Sequence, residues 1–217
     1  MSNPFDAIAR IGVVPVIAIE DVKDAVPLAD ALLAGGLPVA EITFRTPAAA
    51  DVLAKLAADR PDLIVGAGTV LDLASLEACR LGGAKFGLAP GFDPAIVDSA
   101  KAAGLPFAPG VMTPSDISLA AAKGLRLAKF FPAGIAGGPA ALEAVSAPFA
   151  HLGLRFIPTG GVSLETIGDW LKLKSVAAVG GTWIARTDDI RAGRFGDIER
   201  KAREAVARAK AALEARQ

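Results

Sequence analysis

One pattern runs through the whole chain and limits what it can fold into. Short apolar runs, each followed by an Ala-rich amphipathic segment, recur with a period of roughly 20–30 residues. The apolar runs are Val13–Ile19, Val39–Phe44, Leu63–Thr69, Phe86–Ala89, Phe107–Val111, Leu127–Phe131, Phe156–Thr159 and Val176–Gly181. The segments between them read as helices: Val22–Ala34, a segment from Pro47 in its first turn to about Asp59, Ala74–Leu81, one opened by Asp93 and Pro94, one opened by Thr113 and Pro114, Pro139–Ser146 and Leu164–Leu173. Asp116 stands at the capping-box position of the helix that Thr113 opens. A short helix over Asp6–Arg10 leads the chain, and a charged helix over about Asp197–Arg216 ends it. Eight strand–helix units in 217 residues predict an α/β chain of one domain, residues 1–217, folded as a (β/α)8 barrel close to the minimum size. Strands that are apolar throughout are expected when both faces are buried. An open doubly wound sheet is the competing arrangement, although the first strand-to-helix turn lacks the G-x-G-x-x-G of its dinucleotide-binding form.

The totals exclude several classes of function. No apolar run approaches the length of a membrane span. The N-terminal stretch Met1-Ser2-Asn3-Pro4-Phe5-Asp6 lacks the basic and apolar regions of a signal peptide. Cys79 is the single cysteine, which forbids an intrachain disulfide and fits a reducing compartment such as the cytoplasm. Acidic and basic residues balance at 23 each, so nothing points to a nucleic acid or an anionic membrane as partner. His151, the single histidine, lies before the seventh strand, which argues against a His-based triad or a His-ligated metal.

In a barrel of this kind, chemistry sits at the C-terminal ends of the strands. Lys129 alone among the lysines falls in the middle of an apolar run. Two readings compete: an edge-strand lysine that snorkels to water, or a desolvated amine with a lowered pKa that attacks a carbonyl. Glu41 is the one carboxylate inside a strand, and Glu41, Thr43 and Arg45 share parity, so all three can face one side. If that side is the lumen, Glu41 lies deep and Arg45 near the mouth. Ionisable groups in a lumen normally filled by branched aliphatics argue for function over packing. Glu20 and Asp21, after the first strand, read instead as acids at a helix N-terminus. Cys79 and Trp170 read as packing residues, with Trp183 less certain. Two glycine pairs, Gly160-Gly161 and Gly180-Gly181, end the last two strands, where this fold usually binds phosphate; the competing reading is turns that need positive φ. Gly66-Ala67-Gly68 can simply make room in a crowded lumen.

These groups fit one chemistry. A neutral lysine condenses with a keto group, and the protonated imine draws electrons so that a carbon–carbon bond one position out can break. Glu41 would shuttle the proton, directly or through one water. Arg45 and the Thr69 hydroxyl would take a carboxylate, and the glycine loops a phosphate. This describes a Schiff-base aldolase for a phosphorylated 2-keto acid, working without a metal or organic cofactor.

Four motifs, Glu41-Ile42-Thr43-Phe44-Arg45-Thr46, Gly66-Ala67-Gly68-Thr69-Val70-Leu71, Lys129-Phe130-Phe131-Pro132-Ala133 and Pro158-Thr159-Gly160-Gly161-Val162, resemble the family of 2-keto-3-deoxy-6-phosphogluconate (KDPG/KHG) aldolases, from Val13 to about Trp183. The resemblance implies a class I aldolase of the Entner–Doudoroff pathway, a homotrimer of barrels that yields pyruvate and glyceraldehyde 3-phosphate and also cleaves 4-hydroxy-2-oxoglutarate. It implies Lys129 as the Schiff-base residue, Glu41 as general acid/base, Arg45 and Thr69 at the pyruvate carboxylate, and Phe131 beside the pyruvyl group. Gly160, Gly161, Gly181 and Thr182 would contact the phosphate. Ala89-Pro90-Gly91 departs from the family's frequent Ser-Pro-Gly, and Gly181-Thr182-Trp183 from Gly-Ser-Trp. Both departures bear on substrate preference. The galactonate-isomer aldolase is the neighbouring reading, against which Arg45-Thr46 speaks. A phosphosugar-binding barrel without turnover is the reading from another class.

Overall fold

The computed structural model describes residues 3–216; Met1 and Ser2, part of the N-terminal stretch read above for a signal peptide, and Gln217 lie outside them. The strands are β1 (Val13–Ile17), β2 (Val39–Thr43), β3 (Ile64–Gly68), β4 (Gly87–Leu88), β5 (Phe107–Ala108), β6 (Gly110–Val111), β7 (Leu127–Phe130), β8 (Arg155–Pro158) and β9 (Val179–Gly181). They pair in parallel, in the order β5-β4-β3-β2-β1-β9 in one sheet and β6-β7-β8 in another. The two sheets form one ring. At one seam β5 and β6 are halves of a single strand parted by Pro109, which has no N–H to give to a ladder. At the other seam the bridges Phe156–Val176 and Thr159–Gly180 join β8 to β9. With β5 and β6 counted together, the ring has the eight positions that the alternation predicts.

The helices are α1 (Pro4–Ile11), α2 (Ala25–Ala34), α3 (Ala49–Asp59), α4 (Leu73–Leu81), α5 (Pro94–Ala102), α6 (Pro114–Ala122), α7 (Gly138–Ser146), α8 (Ile167–Leu171), α9 (Thr187–Arg191) and α10 (Phe195–Ala215). The caps predicted at Asp93 and Thr113 are present, and Asn3 and Asp72 supply two that the sequence reading does not name. Asn3, Asp72, Asp93 and Thr113 accept from first-turn N–H groups, and Thr113 and Asp116 complete a capping box. The alanines matter most in α10. Its buried face is Ile198, Ala202, Ala205 and Ala209, and a Cβ at Gly35 would lie 2.6 Å from that of Ala202. Only small residues allow this approach. At the far end, Arg216 Nη1 donates to the carbonyls of Leu173 (3.1 Å) and Val176 (2.8 Å).

Several expectations need correcting. The third strand stops at Gly68 because Thr69 has φ +60, outside the extended region. The eighth strand begins at Val179, and Val176 keeps one isolated bridge. A 3₁₀ turn (Val22–Asp24) precedes α2, α8 is shorter than predicted, and Pro47 precedes α3 instead of sitting in its first turn. The 3₁₀ segment Ala147–Leu152 and α9 are not predicted at all. Of the two acids after β1, Asp21 does cap the 3₁₀ turn, through Lys23 N at 3.0 Å. Glu20 does not; it takes the Arg191 guanidinium in a fork with both contacts at 2.6 Å.

Asp189, buried between α9 and α10, ties these two helices together. Its carboxylate accepts from Lys201 Nζ at 2.6 Å and from Arg194 Nη2 at 2.6 Å. Hydrogen bonds from Lys201 and then Arg194 hold it below the usual carboxylate range. A depressed carboxyl contributes stability above its unfolded-state pKa and loses it as pH falls through the folded-state value. Asp189→Asn should cost about 2 kcal/mol at pH 7, or roughly 4–8 °C in Tm for a chain of this size. The gap between wild type and variant, followed by thermal melts, should shrink below a pH of about 4.

Candidate active site

Counted around the ring, β2 is the second position and β7 the sixth, so they face each other across the lumen. Glu41 on β2 and Lys129 on β7 meet there. Lys129 Nζ lies 2.9 Å from Glu41 Oε1, and the residues are 5% and 1% exposed. The snorkelling reading of Lys129 therefore fails: β7 is paired on both sides, by β6 and β8. The amine sits directly beside Glu41, the carboxylate that the sequence pairs with it as proton shuttle. Burial penalises both charges, and their contact restores part of that penalty. Moving one proton from Nζ to Oε1 removes both charges at once and leaves a neutral nucleophile beside a neutral acid.

Glycines give the pair its space. In register, Gly66 lies beside Glu41 and Gly110 beside Lys129. A Cβ at Gly68 would fall on Glu41 Oε1, one at Gly66 on the Phe86 ring, and one at Gly110 on the Pro90 carbonyl. The small-residue strand makes room, as its composition suggests.

At the mouth, Arg45 is exposed and Thr69 half-buried. Arg45 Nε donates to Thr43 Oγ1 at 3.2 Å, and the β2–β3 edge is continued by Phe44 N donating to Gly68 O at 2.8 Å. Phe131, half-buried, links the amine to the glycine loops: Lys129 Nζ is 5.8 Å from its ring centroid, and a Cβ at Gly160 would lie 3.2 Å from the ring edge. Ala133 N and Gly134 N donate to Thr159 O and Gly160 O, both at 2.8 Å, tying the loop after β7 to the one after β8.

The glycine pairs have structural reasons of their own. Gly160 and Gly161 have φ +87 and +80, which side chains rarely adopt. A Cβ at Gly180 would fall on Thr159 Oγ1, and one at Gly181 on the Trp183 indole. The Thr159–Gly180 bridge still makes the two loops neighbours, and the N–H groups of Gly161 and Thr182 meet no acceptor among the described residues. Thr182 shares with Arg45 and Arg186 a recess of about 260 Å³. Arg186 follows the last predicted strand in no recognisable motif, and reading by strand ends misses it.

The remaining candidates behave as packing or surface residues. His151 is exposed in the 3₁₀ segment before β8. Cys79 is buried in α4, where burial pushes its thiol up to about 12. Trp170 packs on Phe130, ring centroids 6.5 Å apart. Trp183 Nε1 is buried with no partner among the described residues.

Comparison with known proteins establishes the family. The family model for KDPG and KHG aldolase matches residues 6–201. The chain is 44% identical to the 2-dehydro-3-deoxy-phosphogluconate aldolase of Dickeya dadantii, over 92% of each sequence. It is 43% identical to the KHG/KDPG aldolase of Escherichia coli, over 91% of this chain and 92% of that one. Among solved structures, KDPG aldolase from Legionella pneumophila, with pyruvate captured at low pH as a covalent carbinolamine intermediate, superposes with a TM-score of 0.89 at 36% identity, covering 93% of this chain and 97% of that one. With its family model matched over residues 6–201 and relatives 43–44% identical over more than nine-tenths of its length, the chain belongs to the KDPG and KHG aldolase family.

Proposed function

We propose that this chain is a class I aldolase that reversibly cleaves 2-keto-3-deoxy-6-phosphogluconate to pyruvate and glyceraldehyde 3-phosphate, and 4-hydroxy-2-oxoglutarate to pyruvate and glyoxylate. The observation that carries this reading is the buried contact of Lys129 Nζ with Glu41 Oε1 at 2.9 Å. With its proton on Glu41, Lys129 attacks the C2 carbonyl to form a carbinolamine. Glu41 returns the proton as water leaves, and a protonated imine results. The imine nitrogen accepts the electron pair of the C3–C4 bond while Glu41, directly or through one water, takes the C4 hydroxyl proton. The aldehyde leaves, C3 of the enamine is protonated, and hydrolysis frees pyruvate and Lys129. The imine itself is the electron sink, so no step needs a metal or an organic cofactor.

Arg45 and Thr69, at the ends of neighbouring strands, take the substrate carboxylate, with Arg45 in a bidentate contact. Phe131 packs against the pyruvyl carbons. The phosphate sits on the loops of Gly160, Gly161, Gly181 and Thr182, where open N–H groups suit an anion. Three copies assemble as a homotrimer in the cytoplasm, and the enzyme serves the Entner–Doudoroff pathway. The exposed apolar side chains of Leu71, Leu73, Met112, Leu119 and Ile135 support a partnered surface. Light scattering should return about three times the 22.0 kDa of one chain.

Borohydride added with pyruvate should fix a mass adduct on Lys129; an unchanged mass would rule out the imine. Glu41→Gln should form the adduct slowly and lower kcat by about 10²–10⁴-fold; a wild-type rate would remove Glu41 from proton transfer. Gly68→Ala tests the same role without altering either ionisable group. It should displace the carboxylate and lower kcat about 10²-fold, measured by pyruvate release. Turnover of the gluconate substrate should exceed that of the galactonate isomer.

A further inference from the structure

Thr43 ends β2 and is 2% exposed. It lies between Glu41 and Arg45 on the same face of the chain. Its Oγ1 makes two contacts: it donates to the carbonyl of Ile17, the last residue of β1, at 2.8 Å, and it lies 3.2 Å from Arg45 Nε. A hydroxyl has a single hydrogen. With that hydrogen given to Ile17 O, the oxygen can only accept, and the Arg45 Nε–H is the donor it accepts.

The geometry matters because of where Arg45 sits. Its side chain is exposed at the mouth and has no ion-pair partner among the described residues. Such a guanidinium would otherwise sample many rotamers. Nε is the donor on the shaft of the side chain. Fastening it sets the plane of the guanidinium and leaves the outer Nη edge open to a carboxylate. Thr46 offers a contrast. Its hydroxyl donates to Ile19 O at 2.6 Å in the same manner, yet it holds no arginine. Satisfying a carbonyl at or just past the end of β1 therefore does not by itself account for what Thr43 does.

We infer that Thr43 is a positioning residue: a relay from the Ile17 carbonyl through the Thr43 hydroxyl to Arg45 Nε aims the guanidinium at the substrate carboxylate. The inference rests on the proposed role of Arg45 and deepens it. Thr43 touches no reacting atom and acts through Arg45 alone, so its removal should weaken recognition of the carboxylate without altering imine chemistry.

The test compares pyruvate with pyruvamide, which has the keto group but no carboxylate, by the concentration of each that half-saturates borohydride trapping on Lys129. Thr43→Val keeps the shape and loses the hydroxyl; Thr43→Ser keeps the hydroxyl. In Thr43→Val the half-saturating pyruvate concentration should rise about tenfold, while that of pyruvamide should stay at the wild-type value. Thr43→Ser should remain within about twofold of wild type for both. If Thr43→Val does not fold, as judged by circular dichroism, Thr43→Ala is measured in the same way and carries the same expectation. An unchanged pyruvate dependence, or an equal loss for pyruvate and pyruvamide, would overturn the relay. Wild type that traps no pyruvate would overturn the aldolase reading and the relay together. Wild type that traps it beside an unaffected Val variant removes the relay alone.

Discussion

The contact between Lys129 and Glu41 spans the barrel from one wall to the other and joins residues 88 positions apart. Two opposite charges out of water are stable only if they meet closely and their surroundings supply no competing bulk. Much of the local sequence follows from that requirement. Gly68 stands where a Cβ would strike the Glu41 carboxylate itself, while a Cβ at Gly66 would meet the Phe86 ring and one at Gly110 the Pro90 backbone. The pair draws on both sides of the ring, Lys129 from one wall and Glu41 from the other.

Much of this was legible in the sequence because it breaks a local rule. Parallel strands buried on both faces read as apolar runs, so a lysine or glutamate inside one is conspicuous, and Lys129 and Glu41 stood out on that ground. Alternation along β2 then placed Thr43 and Arg45 on the same side as Glu41, and the hydrogen bond from Arg45 to Thr43 agrees with that placement. The caps at Asp93 and Thr113 were legible for a different reason: they are settled within four residues of chain.

Other features depend on contacts that no local window contains. The split at Pro109 shows only with β7 beside it: Lys129 N donates to Pro109 O at 2.8 Å, while Pro109 has no N–H to return. Glu20 looks like a helix-start acid until α9, itself too short to show a period, brings Arg191 against it. Thr69 marks the end of its strand only through its φ. The Thr43 hydroxyl has its meaning from the neighbouring strand, and Arg186 from a recess built by three separate segments of chain.

The position of the pair on opposite walls means that neither half of the barrel contains both residues. A chain emerging from synthesis has made Glu41 long before Lys129, and a partly closed ring keeps the two apart. The contact therefore depends on a closed ring, including the seam where β8 meets β9 and β9 meets β1. The topology thus makes the buried pair a property of the whole ring, since neither wall carries it alone.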